Sequence, residues 1–272
     1  MIFTHMADNL LRWKRILRTT GGDLAIQKCT ATLMKWEWSE QYGNAQMLKI
    51  KDSPGTVTIT DITDGKEITH SLKQLETNEG KRQLGIVLPI DGNFTQEYKR
   101  RLQMSKILGK RIYMAPLNQY GSIIVYRMYY ISKVAYPLSI TQFSRDQCNG
   151  IQSHFYRYAL PKMGINRHTP HALFFGPSSQ GGFDFHDMYT EQIGKHIESI
   201  RNHIRRQDSV GKAFLKTLSL YEVVIGSARP LFDIKPWNYD YGKMNSEVFF
   251  LWLVCARLRI NITINTLSTN PI

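Results

Sequence analysis

Hydrophobic positions change period along the chain. Met6, Leu10, Trp13 and Leu17 recur at three- and four-residue steps, the spacing of one helical face, and predict a helix over 5–18. Thr19, Thr20, Gly21 and Gly22 end it, because paired glycines accept the positive φ of a helix end. In LAIQKCTATLMKWEW (24–38) β-branched and aromatic residues suit a strand, although ATLMKW also fits a helix. TVTITDI (56–62) sets Val57 and Ile59 against threonines, the two-residue period of a half-buried strand. Asp64-Gly65 is a hairpin signal, with KEITHSL (66–72) returning. KRQLGIVL (81–88) reads as a further strand, closed by Pro89 and Asp91-Gly92.

From position 94 the helical period dominates. In TQEYKRRLQMSKILGKRIYM (95–114) the narrow stripe Tyr98, Leu102, Ser105, Gly109 and Ile112 is expected to pack. Lys99, Lys106 and Lys110 share a face about 100° away, with Arg100 and Arg111 beside them. Gly109 costs about 1 kcal/mol in a helix interior relative to Ala, which close backbone approach would explain. QYGSIIVYRMYYISKVAY (119–136) is apolar nearly all round and is expected to be buried. The helix predicted over 144–160 begins with Ser144 and Gln147 in capping-box spacing and stops at Pro161. Residues 164–186 read as a loop with at most short strands. Helices follow over 186–207, with Ile193, Ile197, Ile200 and Ile204 on one face, and over 209–226, ending at Gly226. VFFLWLVCA (248–256) falls short of the ~20 apolar residues of a bilayer span, so a buried element and no membrane partner are expected. The pattern organises nothing else in 227–272.

A hydrophobic content of 42% and an aromatic content of 11% fill a core and exclude a disordered tail. Cys29, Cys148 and Cys255 form neither a disulfide framework nor a CxxC metal pair, which points to a reducing compartment. With no secretory signal layout, an intracellular location in nucleus or cytoplasm is expected. LLRWKRILRTT (10–20) also fits a mitochondrial presequence, but its apolar stripe suffices for a packed helix. Charge changes the reading most. Residues 1–97 hold twelve basic and twelve acidic residues, whereas 98–167 hold twelve basic residues and one acid, Asp146. Such self-repulsion favours an anionic partner, and a polyanion releases counterions for each phosphate neutralised. A solvated basic face is the alternative; the near absence of acids favours nucleic acid.

The collinear order of these pieces resembles the back half of a reverse transcriptase of the non-LTR retroelement type, over roughly residues 8–225. GGDLAIQKC (21–29) is similar to the turn, strand and lysine that follow the palm active site, and KRQLGIVLPIDGN (81–93) to the strand and turn that hold the primer terminus. Residues 94–165 resemble the thumb. MGINRHTPHALFFGPSSQGG (163–182), leading to DMYTEQ (187–192), resembles the region after it. The resemblance implies an α+β chain: a palm-sheet remnant with an inserted β-hairpin over 1–93, a thumb-like helical domain over 94–165 and a helical extension over 166–272. It implies RNA–DNA or RNA duplex as partner and makes Lys28 a general-acid candidate towards pyrophosphate. It assigns Leu84, Gly85 and Ile86 to the primer. An intact family enzyme holds two Mg²⁺ ions on tandem aspartates and a third carboxylate. This chain contains no Asp-Asp pair, so it is expected to bind no cofactor alone and to be an inactive fragment, with fingers and most of the palm missing.

Lys99, Arg100, Lys106, Lys110 and Arg111 are the candidate phosphate contacts, which position a duplex without reading its sequence. Tyr113, Tyr120, Tyr126, Tyr129, Tyr130 and Tyr136 are either stacking groups or core. Two alternatives stand beside the fragment reading. One is a free-standing nucleic-acid-binding module. The other is a metal-dependent nuclease built on Asp184, Asp187, Glu191 and the histidines 168, 171 and 186, whose spacing matches no ligand signature. GPSSQGG (176–182) lacks the lysine and helix of a phosphate-binding loop and reads as a turn.

Overall fold

The structure, a computed structural model, describes residues 2–33, 35–40, 44–48, 50, 57–63, 66–77, 79–239 and 246–264. It is α+β, and the chain divides into two units, Met1–Asn93 and Phe94–Ile272.

In the first unit, helix α1 (Ile2–Thr19) ends at Gly21, whose φ of +81° lets the N–H of Gly22 reach back to Leu17 O at 3.0 Å. The packed face differs from the expected stripe. Ala7, Leu10 and Leu11 meet the core, Lys14 is buried beside them, and Trp13 is 63% exposed. Lys14 can take a core-facing position because its methylene stem packs while its ammonium reaches Asp23 at 3.9 Å. The expected strand over 24–38 is broken into a 3-10 turn (Ile26–Lys28), β1 (Thr30–Ala31) and β2 (Trp36–Ser39); β2 pairs antiparallel with β3 (Asn44–Met47). β4 (Val57–Thr63) and β5 (Lys66–Gln74) form the expected hairpin in the register Thr63↔Lys66, the Asp64-Gly65 turn itself lying outside the described residues. Val57 and Ile59 are buried while Thr58 and Thr60 are exposed. β1 adds in parallel to β5, giving the sheet order β1-β5-β4. Residues 81–88 are not one strand but a tight hairpin, β6 (Lys81–Gln83) with β7 (Ile86–Leu88). Leu84 (φ +47°) and Gly85 (φ +89°) turn it, since a two-residue turn matching strand twist needs positive φ at both positions.

The second unit is helical. α2 (Thr95–Met114) packs on α5 (Arg145–Lys162). Its buried face is Glu97, Arg101, Ser105, Leu108, Gly109 and Ile112, so the expected stripe is rotated: Tyr98 and Leu102 are only half-buried. Ion pairing allows this, because Glu97 and Arg101 neutralise each other inside. Gly109 sets the interhelical distance; an added Cβ would lie 3.1 Å from Phe155 O and 3.2 Å from Phe155 Cα.

The segment expected to be one buried helix over 119–136 is α3 (Gln119–Val125), a π-helical turn (Tyr126–Tyr130), α4 (Ile131–Val134) and a 3-10 turn (Tyr136–Ser139). Only one side is buried: Tyr120, Met128, Tyr129 and Tyr136 are exposed. At the start of α5, Ser144 and Gln147 form the expected capping box. The helix runs past Pro161 to Lys162, because a proline in the last turn removes one hydrogen bond while its φ stays helical. Residues 164–186 contain α6 (His171–Phe175) and no strand. α7 (Met188–Arg206) and α8 (Ser209–Ile225) are capped by Asp187 and Asp208, and Gly226 closes α8. The run expected to be a buried element is α9 (Glu247–Leu258), whose Trp252 is fully buried and donates to Ile234 O at 2.7 Å. No helix among the described residues is long and apolar enough to cross a membrane. One aromatic core joins residues on both sides of position 165: Tyr126, Tyr130, Phe155, Phe174 and Phe185.

Candidate nucleic-acid interface

The buried side of α2 dictates what its outer side offers. With Glu97, Arg101 and Leu108 inward, Lys99 and Lys110 stand exposed and Lys106 half-buried on one face. Arg111 is exposed, but at 100° per residue it and Arg100 lie about 100° around the helix from the lysines, so the five cations form two groups rather than one. Arg100 is partly committed, with its guanidinium 3.2 Å from the Glu97 carboxylate. Lys99, Lys106, Lys110 and Arg111 make no ion pair among the described residues.

Helix α5 extends the lysine face. Burial, and then the charges of Lys106 and Arg157, hold His154 below its ordinary value. Thus Lys106, His154 and Arg157 are neighbours across the two helices. Lys110 Nζ lies 6.0 Å from the Tyr158 ring, which is 6.5 Å from the ring of Tyr113. The surface is therefore cationic and aromatic, made of Lys99, Lys106, Lys110, Tyr113, His154, Arg157 and Tyr158. Sequence reasoning missed the α5 half. Its signal was present: 154, 157 and 158 have the three- and four-residue spacing of one helical face.

The tyrosines separate into two classes. Tyr126 and Tyr130 are each 1% exposed, and Tyr130 stacks on Phe155 at 3.6 Å. The Tyr126 hydroxyl accepts the His186 N–H at 3.2 Å, and burial pushes its pKa up to about 12. Burial raises Tyr130 and Tyr156 further. These three are neutral core groups, whereas Tyr113, Tyr120, Tyr129 and Tyr136 keep exposed rings.

In the first unit, Lys28 ends the 3-10 turn rather than lying on a strand. Its side chain is exposed, and its carbonyl accepts from Lys81 Nζ at the start of β6. Leu84 is 91% exposed at the hairpin tip beside Gly85, but Ile86 is buried. Of the three proposed primer contacts only Leu84 and Gly85 present surface, because alternation on β7 turns Ile86 inward.

The nuclease constellation does not assemble. No group of three or more His, Cys, Asp or Glu side chains comes together among the described residues. Asp187 caps α7 through the Thr190 N–H at 3.2 Å and hydroxyl at 2.6 Å. His186 faces Glu191 at 3.5 Å, and Glu191 also holds Lys195 at 3.1 Å. The donor set of two Mg²⁺ ions does not fit here, since the sequence has no tandem aspartates. GPSSQGG is a turn, as expected, and it crosses itself tightly. A Cβ on Gly182 would overlap the Gly176 carbonyl, which leaves no open anion cradle. Comparison with family models, curated proteins and solved structures found no match.

Proposed function

We propose that the chain binds the sugar–phosphate backbone of duplex nucleic acid through the α2–α5 face, as the late-palm and thumb-like part of a reverse-transcriptase-type polymerase. The observation that carries this is the row Lys99, Lys106, Lys110 and Arg157, which no described carboxylate neutralises. The polymerase half rests on the order of GGDLAIQKC, LGIVLPIDGN and the basic helices. Without tandem aspartates the chain is assigned no chemical step, and Lys28 no catalytic role on its own. Among its partners, RNA–DNA hybrid or RNA duplex binds at least as well as DNA duplex, since a thumb reads shape and backbone.

The test is a salt titration of duplex binding. Affinity falls with a log–log slope near −0.9 per neutralised phosphate on B-DNA. Replacing Lys99, Lys106 and Lys110 together by Gln flattens the slope by up to about three units. Lys and Gln have similar helix propensity, so circular dichroism stays unchanged. An unchanged slope in the folded triple variant overturns the reading.

A further inference from the structure

Beside Arg157, a cleft of about 480 Å³ opens between α5 and the segment 166–175. Its size suits one small ligand, since ligand pockets run from roughly 300 to 1,000 Å³. Tyr156, Phe174 and Phe175 line it, and the Tyr156 hydroxyl is turned to Tyr126 and Gln152, each at 3.3 Å, so Tyr156 offers a ring. Arg157 and Arg167 line it too, exposed and without an ion pair among the described residues. No carboxylate lines the cleft, while Asn149, Ser153 and Asn166 supply donors and acceptors. Two guanidinium groups facing a space with no counter-charge call for an anion, and phosphate fits their planar fork. Aromatic walls and amide edges call for a planar heterocycle, because every base has a π-face.

We propose that this cleft binds one nucleoside monophosphate unit, base against Tyr156 and Phe175, phosphate between Arg157 and Arg167. The unit is either a free nucleotide or an unstacked residue of a strand lying on the α2–α5 face. The second source rests on the function proposed above; the first does not.

Calorimetric titration of the full chain with AMP, adenosine and inorganic phosphate tests it. AMP binds at least about tenfold tighter than either part, as expected when stacking and charge-assisted bonds act together. Arg167→Gln, at an exposed position away from α2, weakens AMP about tenfold and leaves adenosine unchanged. Phe175→Leu keeps an apolar side chain, weakens AMP and leaves phosphate unchanged. If AMP displaces a labelled single-stranded oligonucleotide, the occupant is a strand residue; if it does not, a free nucleotide. Phosphate binding as tightly as AMP overturns the nucleotide assignment. So does a lack of AMP saturation below about 10 mM, weaker than any specific small-ligand site. The salt slope of the lysine triple variant is read separately, so either idea can fail alone.

Discussion

Glu97→Ala tests the reasoning about α2 most sharply. Glu97 is 0% exposed and Arg101 3%, and the Glu97 carboxylate accepts from the Arg101 guanidinium. Arg101 also donates to the Lys133 carbonyl at 2.6 Å, tying α2 to α4. Removing the carboxylate leaves a desolvated guanidinium without its counter-charge, which costs about 3–5 kcal/mol when one partner of a buried pair is deleted. For a unit of this size each kcal/mol moves Tm by about 2–4 °C, so a fall of roughly 6–20 °C is expected. Circular dichroism at 222 nm follows the melt, and a urea titration should show a lower midpoint at constant slope. The double variant Glu97→Met with Arg101→Met should recover most of the loss, because apolar side chains can replace a buried pair without penalty. A loss below about 1 kcal/mol for Glu97→Ala would show that the pair behaves like an exposed one and would refute the argument.

Three further outcomes follow from packing and burial. Gly109→Val should destabilise by about 1–3 kcal/mol in urea unfolding, since its side chain must displace the Phe155 backbone; an unchanged midpoint would mean α2 and α5 can separate freely. Burial raises the thiols of Cys148 to about 12 and of Cys255 to about 11, so a disulfide reagent at pH 8 should label Cys29 first and the others only in denaturant. Tyr126 is raised from 10.0 to about 12, so its folded state holds the proton more tightly than the unfolded chain does. That stability is full below about pH 10 and is lost as pH rises from about 10 to 12. Urea midpoints should therefore fall between pH 9 and 11.5, and Tyr126→Phe should reduce the fall.

Local signals were legible wherever one short-range rule decided the outcome. The Ser144–Gln147 capping box, the Val57/Ile59 alternation and the glycine stops at 21 and 226 all lie where the sequence puts them. The failures share a cause: a side chain whose role depends on a distant partner. Glu97 and Arg101 read as surface charges until each is seen to neutralise the other inside the unit. Trp13 reads as core and Lys14 as surface, yet the sheet meets the helix on the Lys14 side. Of the candidate site, the lysines of α2 were visible as charge, but the contribution of His154, Arg157 and Tyr158 needed the pairing of α2 with α5. Leu84-Gly85 was read as strand because Leu suggests a strand residue; its positive φ is imposed by the two-residue turn.

The π-helical turn at Tyr126–Tyr130 has a consequence for how this sequence tolerates change in length. A π turn accommodates one residue more than an α turn over the same advance. Deleting a single residue within it would restore a plain α-helix and rotate everything downstream by about 100°. Val134 and Ala135 would swing out of the core, and the Lys133 carbonyl would leave Arg101. Point substitutions on its outer side, at Met128 or Tyr129, meet solvent and change little. The segment is therefore permissive in residue identity but rigid in residue count: its length, more than its spelling, keeps both ends of the unit in phase.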